Sequence, residues 1–236
     1  MHRSHRFLQT RFLRTLALGL LLSAPAQATQ YVVKTTYNSS QPNLFRLSLN
    51  GRTVTLINND SSTVDLTPLV KAGKNTLTIE STPGKNTNQF SKSELTLGAG
   101  ENGKWRTLYK QEVGKGSTAG RTEYAFVATP DSSPKAGPVS VSAKFNSNQL
   151  AEFKVTLNGQ AVTTLTANGN ADLTPFLKPG KNLLTVKYKR GKNKNQFSQS
   201  VLTVGQQYGD QWNPLVKWAV GVSDPASGSF TFPIYH

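Results

Sequence analysis

Apolar and polar residues alternate along this chain in short runs with a period of two. Val139, Val141, Ala143 and Phe145 are interleaved with Ser140, Ser142, Lys144 and Asn146, and Tyr31, Val33, Thr35 and Tyr37 occupy the matching positions earlier in the chain. That period marks a strand with one buried face. A second strand buries Phe45, Leu47 and Leu49, or Phe153, Val155 and Leu157, and turns Arg46 and Ser48, or Lys154 and Thr156, to solvent. Both end at Asn-Gly (Asn50-Gly51 and Asn158-Gly159), a dipeptide that tolerates positive φ at both positions of a tight hairpin. Val54 and Leu56, or Val162 and Leu165, continue on the return strand.

An Asp-Leu-Thr-Pro block follows in each case. Thr67 and Thr174 suit an N-cap and Pro68 and Pro175 the first helical position, predicting one short helical turn that Ala72-Gly73 and Pro179-Gly180 end. Strands resume at Leu77 and Ile79, or Leu184 and Val186. Further short strands are predicted around 95–97, 105–109 and 124–127, with counterparts near 202–204, 212–216 and 230–232.

The chain therefore states one pattern twice. Phe45 and Phe153 are 108 residues apart, Asp65 and Asp172 are 107 apart, and Asn88-Gln89-Phe90-Ser91 returns as Asn195-Gln196-Phe197-Ser198. A period of that length is a domain and not a solenoid unit. Seven or eight short strands per copy, without a long amphipathic helix, predict an all-β chain of two tandem antiparallel β-sandwich or jelly-roll domains. The expected boundaries are a signal peptide over 1–28, a first domain over 29–128, a Pro/Ser/Gly linker over 129–138 and a second domain over 139–236.

The Leu-Asn-Gly hairpins and the Asp-Leu-Thr-Pro blocks, each continued by Lys-x-Gly-Lys-Asn, resemble the galactose-binding-domain-like β-sandwiches. That family includes the non-catalytic sugar-binding domains of β-galactosidase-type glycosidases and many carbohydrate-binding modules. The likeness spans Phe45 to Ile79 and Phe153 to Val186, about half of each copy. It implies a scaffold with binding loops at one end. It carries over no binding residue position by position.

Composition adds a compartment. Arg3, Arg6, Arg11 and Arg14 precede the apolar run 16–22, and Ala26-Gln27-Ala28 has the small-x-small form of a cleavage signal, together the pattern of a bacterial-type secretory signal. The expectation is an exported protein, periplasmic or extracellular, without a transmembrane segment. Beyond residue 28, 23 basic residues stand against 12 acidic ones. Such an excess draws a protein to anionic partners: cell-envelope polysaccharide first, other envelope components next, nucleic acid as a less favoured option.

Chemistry is restricted. Only His236 remains after residue 28, and cysteine is absent, so Ser-His-Asp and Cys-His catalysis and ordinary zinc or copper sites lose their groups. No cofactor and no metal are expected. Calcium has only weak oxygen clusters to choose from, near Asn58, Asn59 and Asp60 or at Asp131. Asp65 and Asp172, the acid kept in both copies, read as local acceptors beside a turn. Glu94, Glu101, Glu112 and Glu123 belong to copy one only and read as surface residues. Trp105 and Trp212 are equivalent and read as core or shelf. Asn88-Gln89 and Asn195-Gln196 read as loop ties.

What the repeat leaves unmatched is the candidate ligand site. Trp218 stands where copy one has Gln111, Tyr188 where it has Ser81, and Tyr208 has no aromatic counterpart. Lys187, Tyr188, Lys189, Arg190, Lys192 and Lys194 replace a stretch with one lysine, and are expected to gather at a hairpin tip around Gly191. They would grip sulfate, phosphate or carboxylate while Tyr188 or Trp218 stacks on a sugar. A lysine-rich edge that blocks aggregation accounts for the same residues. The expected function is non-catalytic binding of carbohydrate or anionic envelope polysaccharide. The alternative is a structural or assembly protein of the envelope, working through protein contacts.

Overall fold

The computed structural model describes residues 29–86, 88–101, 104–128, 135–146, 149–193, 198–222 and 224–236. The expected signal peptide, residues 129–134 of the expected linker, Lys194 and the second Asn-Gln pair lie outside them. The described chain is all-β, with one 3-10 turn in each copy. Copy one holds β1 (Gln30–Thr36), β2 (Asn43–Leu49), β3 (Arg52–Asn58), β4 (Ser62–Asp65), β5 (Gly73–Pro83), β6 (Ser93–Glu101), β7 (Lys104–Val113) and β8 (Gly120–Ala128). Copy two holds β9 (Ala136–Lys144), β10 (Gln149–Leu157), β11 (Gln160–Leu165), β12 (Gly169–Asp172), β13 (Lys181–Asn193), β14 (Ser200–Tyr208), β15 (Gln211–Val220) and β16 (Ser227–Tyr235).

Each copy folds into two antiparallel layers in the same order. Copy one has β4-β1-β6-β7 and β3-β2-β5-β8; copy two has β12-β9-β14-β15 and β11-β10-β13-β16. Inward side chains from both layers form one core per copy, Val33, Leu47, Leu77 and Leu97 in the first and Val141, Val155, Val186 and Val204 in the second. Burying each such side chain contributes about 1.5–3 kcal/mol. The arrangement is compatible with a β-sandwich.

The two copies are not beads on a string. The edge of β15 pairs in parallel with the edge of β3, fusing two four-stranded layers into one sheet of eight. Leu56, on β3 of copy one, is buried in the core of copy two. β9 begins at Ala136, so the last residues of the expected linker are already strand.

Turns behave as their residues demand. Asn50, Gly51, Asn158 and Gly159 all take positive φ, between 52° and 81°. The helical turns form at Thr67–Leu69 and Thr174–Phe176, but the threonines do not cap them: the N-cap residues are Leu66 and Leu173, without a side-chain bond. Thr67 Oγ1 instead accepts the Tyr31 amide and Thr174 Oγ1 the Val139 amide, both at 3.0 Å, tying the turn to the first strand of each copy. Asp65 and Asp172 accept the amides of Thr67 and Thr174 at 2.8 Å.

The asparagine closing Lys-x-Gly-Lys-Asn is a clamp. Asn182 is fully buried; its Oδ1 accepts the Lys178 amide (2.8 Å) and Asn158 Nδ2 (2.8 Å), while its Nδ2 donates to the carbonyls of Lys178 (2.7 Å) and Gly180 (3.2 Å). Asn75 repeats this set in copy one. Asn182→Ala leaves several of these groups without a partner and is expected to cost about 2–3 kcal/mol. A urea midpoint equal to that of the wild type would refute the clamp.

Candidate ligand groove at the junction of the two copies

The β15–β3 contact sets Val216 opposite Leu56, Lys217 opposite Ile57 and Trp218 opposite Asn58. Buried side chains lock it. Thr55 Oγ1 donates to the Pro214 carbonyl (3.1 Å) and Asn58 Nδ2 to the Ala219 carbonyl (3.3 Å). Asn213 brackets Asp65, accepting its amide (2.9 Å) and donating to its carbonyl (2.7 Å). Lys217 Nζ donates to the Ser61 carbonyl (2.6 Å) and lies 3.2 Å from Asp60 Oδ2.

This contact brings β4 and β1 of copy one beside β9, β14 and β15 of copy two, and an open groove of about 620 Å³ runs between them. Lys34, Thr36 and residues 61–63 line one side; Ser142, Lys144, Thr203 and Trp212 line the other; Pro214 and Lys217 complete it. The lining holds three amines, several hydroxyls and one indole, and no carboxylate, thiol or imidazole.

Trp212 is shaped by its neighbour. Its ring lies where a Cβ of Gly205 would stand, so the glycine on β14 is what lets the indole lie against the sheet. Trp105 lies over Gly98 in the same way. Both tryptophans are 45% exposed, which makes them shelves and removes them from the core. They differ above the ring. Lys34 Nζ stands 5.1 Å from the centroid of Trp105, whereas copy two has Ser142 at the position of Lys34. Among the described residues no cation covers Trp212.

The predicted cluster is divided by strand alternation. β13 runs through Gly191 to Asn193 as continuous strand, so no hairpin tip forms there. Lys187 and Lys189 are exposed, opposite Lys154 and Glu152 of β10. Tyr188, between them, points inward: it is 6% exposed and packs against Gly228. Arg190 is half-buried, with Nη1 donating to the Val222 carbonyl at 3.0 Å. Lys192 is exposed, and Lys194 lies outside the described residues. Trp218 is half-buried and stacked on Phe230 at 4.1 Å, a packing residue of the second core. Tyr208 is buried, its hydroxyl donating to Gln206 Oε1 at 2.9 Å. Tyr188 and Trp218 are therefore packing residues and not exposed stacking platforms.

The remaining candidates sort plainly. Asn88 Oδ1 accepts the Phe90 amide (3.0 Å), a local loop bond. Glu94 and Glu112 share Lys110, and Glu112 also pairs with Lys92; Glu123 pairs with Arg121. Lys92 and Lys110 pull the Glu112 carboxyl down to about 2. The stabilisation this gives is present above the ordinary carboxylate range and is lost as pH falls toward that value. A carboxyl-carbon NMR titration should place its midpoint near 2, rising toward 4.5 as salt screens these exposed pairs. A low-salt midpoint at 4.5 would refute the pairing.

Lys34, Lys144 and Lys217 were not singled out by sequence reasoning, because nothing in a strand's own pattern names its neighbour in another sheet. No family model, curated protein or solved structure matches this chain.

Proposed function

We propose that this protein is an exported, non-catalytic recognition protein, made of two tandem galactose-binding-like sandwiches, that holds an anionic envelope polysaccharide in the groove between its copies. One observation carries the reading: an exposed indole, uncovered by any cation among the described residues, borders the same groove as Lys34, Lys144, the Asp60-paired Lys217 and a set of hydroxyls. The C–H face of a sugar packs on an aromatic plane, hydroxyls exchange hydrogen bonds with sugar hydroxyls, and amines attract carboxylate or sulfate substituents. The groove's size is within the range of ligand sites, and its open form suits a chain that enters and leaves. The basic excess supports an anionic ligand, and the leader-like first 28 residues support export.

The test is a panel of acidic and neutral polysaccharides, probed with residues 29–236 at two salt concentrations. Acidic chains are expected to bind, less tightly at high salt. The double variant Lys34→Ala/Lys144→Ala should weaken binding about tenfold, at roughly 0.7 kcal/mol for each ionic contact. Equal binding of neutral and acidic chains would refute the electrostatic part, and silence across the panel the whole reading.

A further inference from the structure

The junction within the chain has an unused duplicate. β15 and β3 meet edge to edge, and their repeat equivalents are β7 and β11. Among the described residues β7 pairs only with β6 and β11 only with β10, so each has an outer edge without a strand on it. We propose that β7 of one molecule adds in parallel to β11 of the next, repeating between chains the contact that β15 and β3 make within one.

The shapes match. The β14–β15 ladder is broken between Val204 and Gly205 and the β6–β7 ladder between Leu97 and Gly98, one repeat apart. The β2–β3 irregularity at Leu47/Ser48 returns in β10–β11 at Val155/Thr156. Carrying the internal register across sets Tyr109 opposite Thr164, Lys110 opposite Leu165 and Gln111 opposite Thr166.

The chemistry matches in part. Thr163 takes the place of Thr55, whose hydroxyl bonds a carbonyl across the junction. Lys110 takes the place of Lys217, but copy two has no acid at the position of Asp60, and Lys110 is paired with Glu94 and Glu112 of its own sheet. Arg106 takes the place of Asn213, which brackets the backbone of Asp65; a guanidinium cannot accept the amide of the equivalent Asp172, so the bracket is replaced by an exposed cation beside an exposed carboxylate. β11, residues 160–165, carries no charged side chain, the usual guard of a free edge. β7 carries Lys104, Arg106, Lys110 and Glu112, and two β7 edges would set like charges together.

The contact between molecules lacks an apolar anchor of the internal one, because Thr164 replaces Leu56, which is buried in the core of the other copy. It is therefore weaker and reversible. It joins different patches, so a dimer keeps one free edge of each kind, one on each molecule, and the assembly can grow beyond two. This assembly does not depend on the ligand of the groove.

Sedimentation velocity of residues 29–236 across a concentration series tests it. The average mass should climb past the dimer. Thr164→Lys blocks β11 and Arg106→Glu blocks β7; both positions are exposed, so thermal unfolding should match the wild type. Each variant alone should associate at least about tenfold more weakly. Mixed in equal amounts, they should form dimers and nothing larger, since each keeps one working edge of the opposite kind. If either variant unfolds early, Gln160→Lys and Thr107→Glu replace them. A wild type monomeric at every concentration, or a closed dimer that both variants retain, would overturn the proposal.

Discussion

Trp212→Ala is expected to weaken polysaccharide binding at least about tenfold, through loss of the apolar face on which a sugar packs, while thermal stability changes by less than about 1 kcal/mol. Trp218→Ala is expected to do the reverse. Trp218 is packed on Phe230 in the second core, so its removal leaves a cavity and costs about 3 kcal/mol. Gly205→Ala should resemble Trp212→Ala in binding, because the new methyl occupies the space of the indole ring. Isothermal titration and differential scanning calorimetry on the three variants separate the roles. Loss of binding with Trp218→Ala but not with Trp212→Ala would place recognition elsewhere.

The second large effect is at the junction. Leu56 is 1% exposed and lies in the core of the other copy. Leu56→Thr, which installs the residue that copy two has at this position, buries a hydroxyl and removes apolar volume, at about 2–4 kcal/mol. Asn213→Arg, again the residue of the other copy, sets a charge in a buried bracket and costs about 3–5 kcal/mol. The wild type is expected to unfold in one calorimetric transition, and the double variant in two, as the copies separate. Two transitions in the wild type would show that the shared sheet does not couple them.

Much of the strand pattern was legible because it is local. Alternation placed Val139, Val141 and Ala143 inside, Asn-Gly placed both hairpins, and Asp65 and Asp172 hold their turns as expected. Thr67 and Thr174 were misread as caps because their partners, the amides of Tyr31 and Val139, come from strands more than 30 residues away. The junction was not legible, since period two tells which face is buried and not which edge meets which. Leu56 against Thr164 and Asn213 against Arg106 differ between copies because Leu56 and Asn213 face the other copy. Trp218 against Gln111 misled because Trp218 packs on Phe230 in the second core. Tyr188 is unmatched for a related reason, filling space beside Gly228 in the second core. The asymmetry on which the proposed groove reading rests is quieter: Ser142 in place of Lys34 leaves the shelf of Trp212 uncovered.

The groove and the outer face of β13 are two of the basic surfaces among the described residues, and amide chemical-shift mapping with an anionic chain distinguishes them in one titration. With isotope-labelled protein and an acidic polysaccharide that binds it, the largest shifts are expected at residues 34–36, 61–63, 142–144, 203 and 212–217, with the Trp212 indole among them. Shifts confined to Lys187, Lys189 and their neighbours on β10 and β16 would contradict the account.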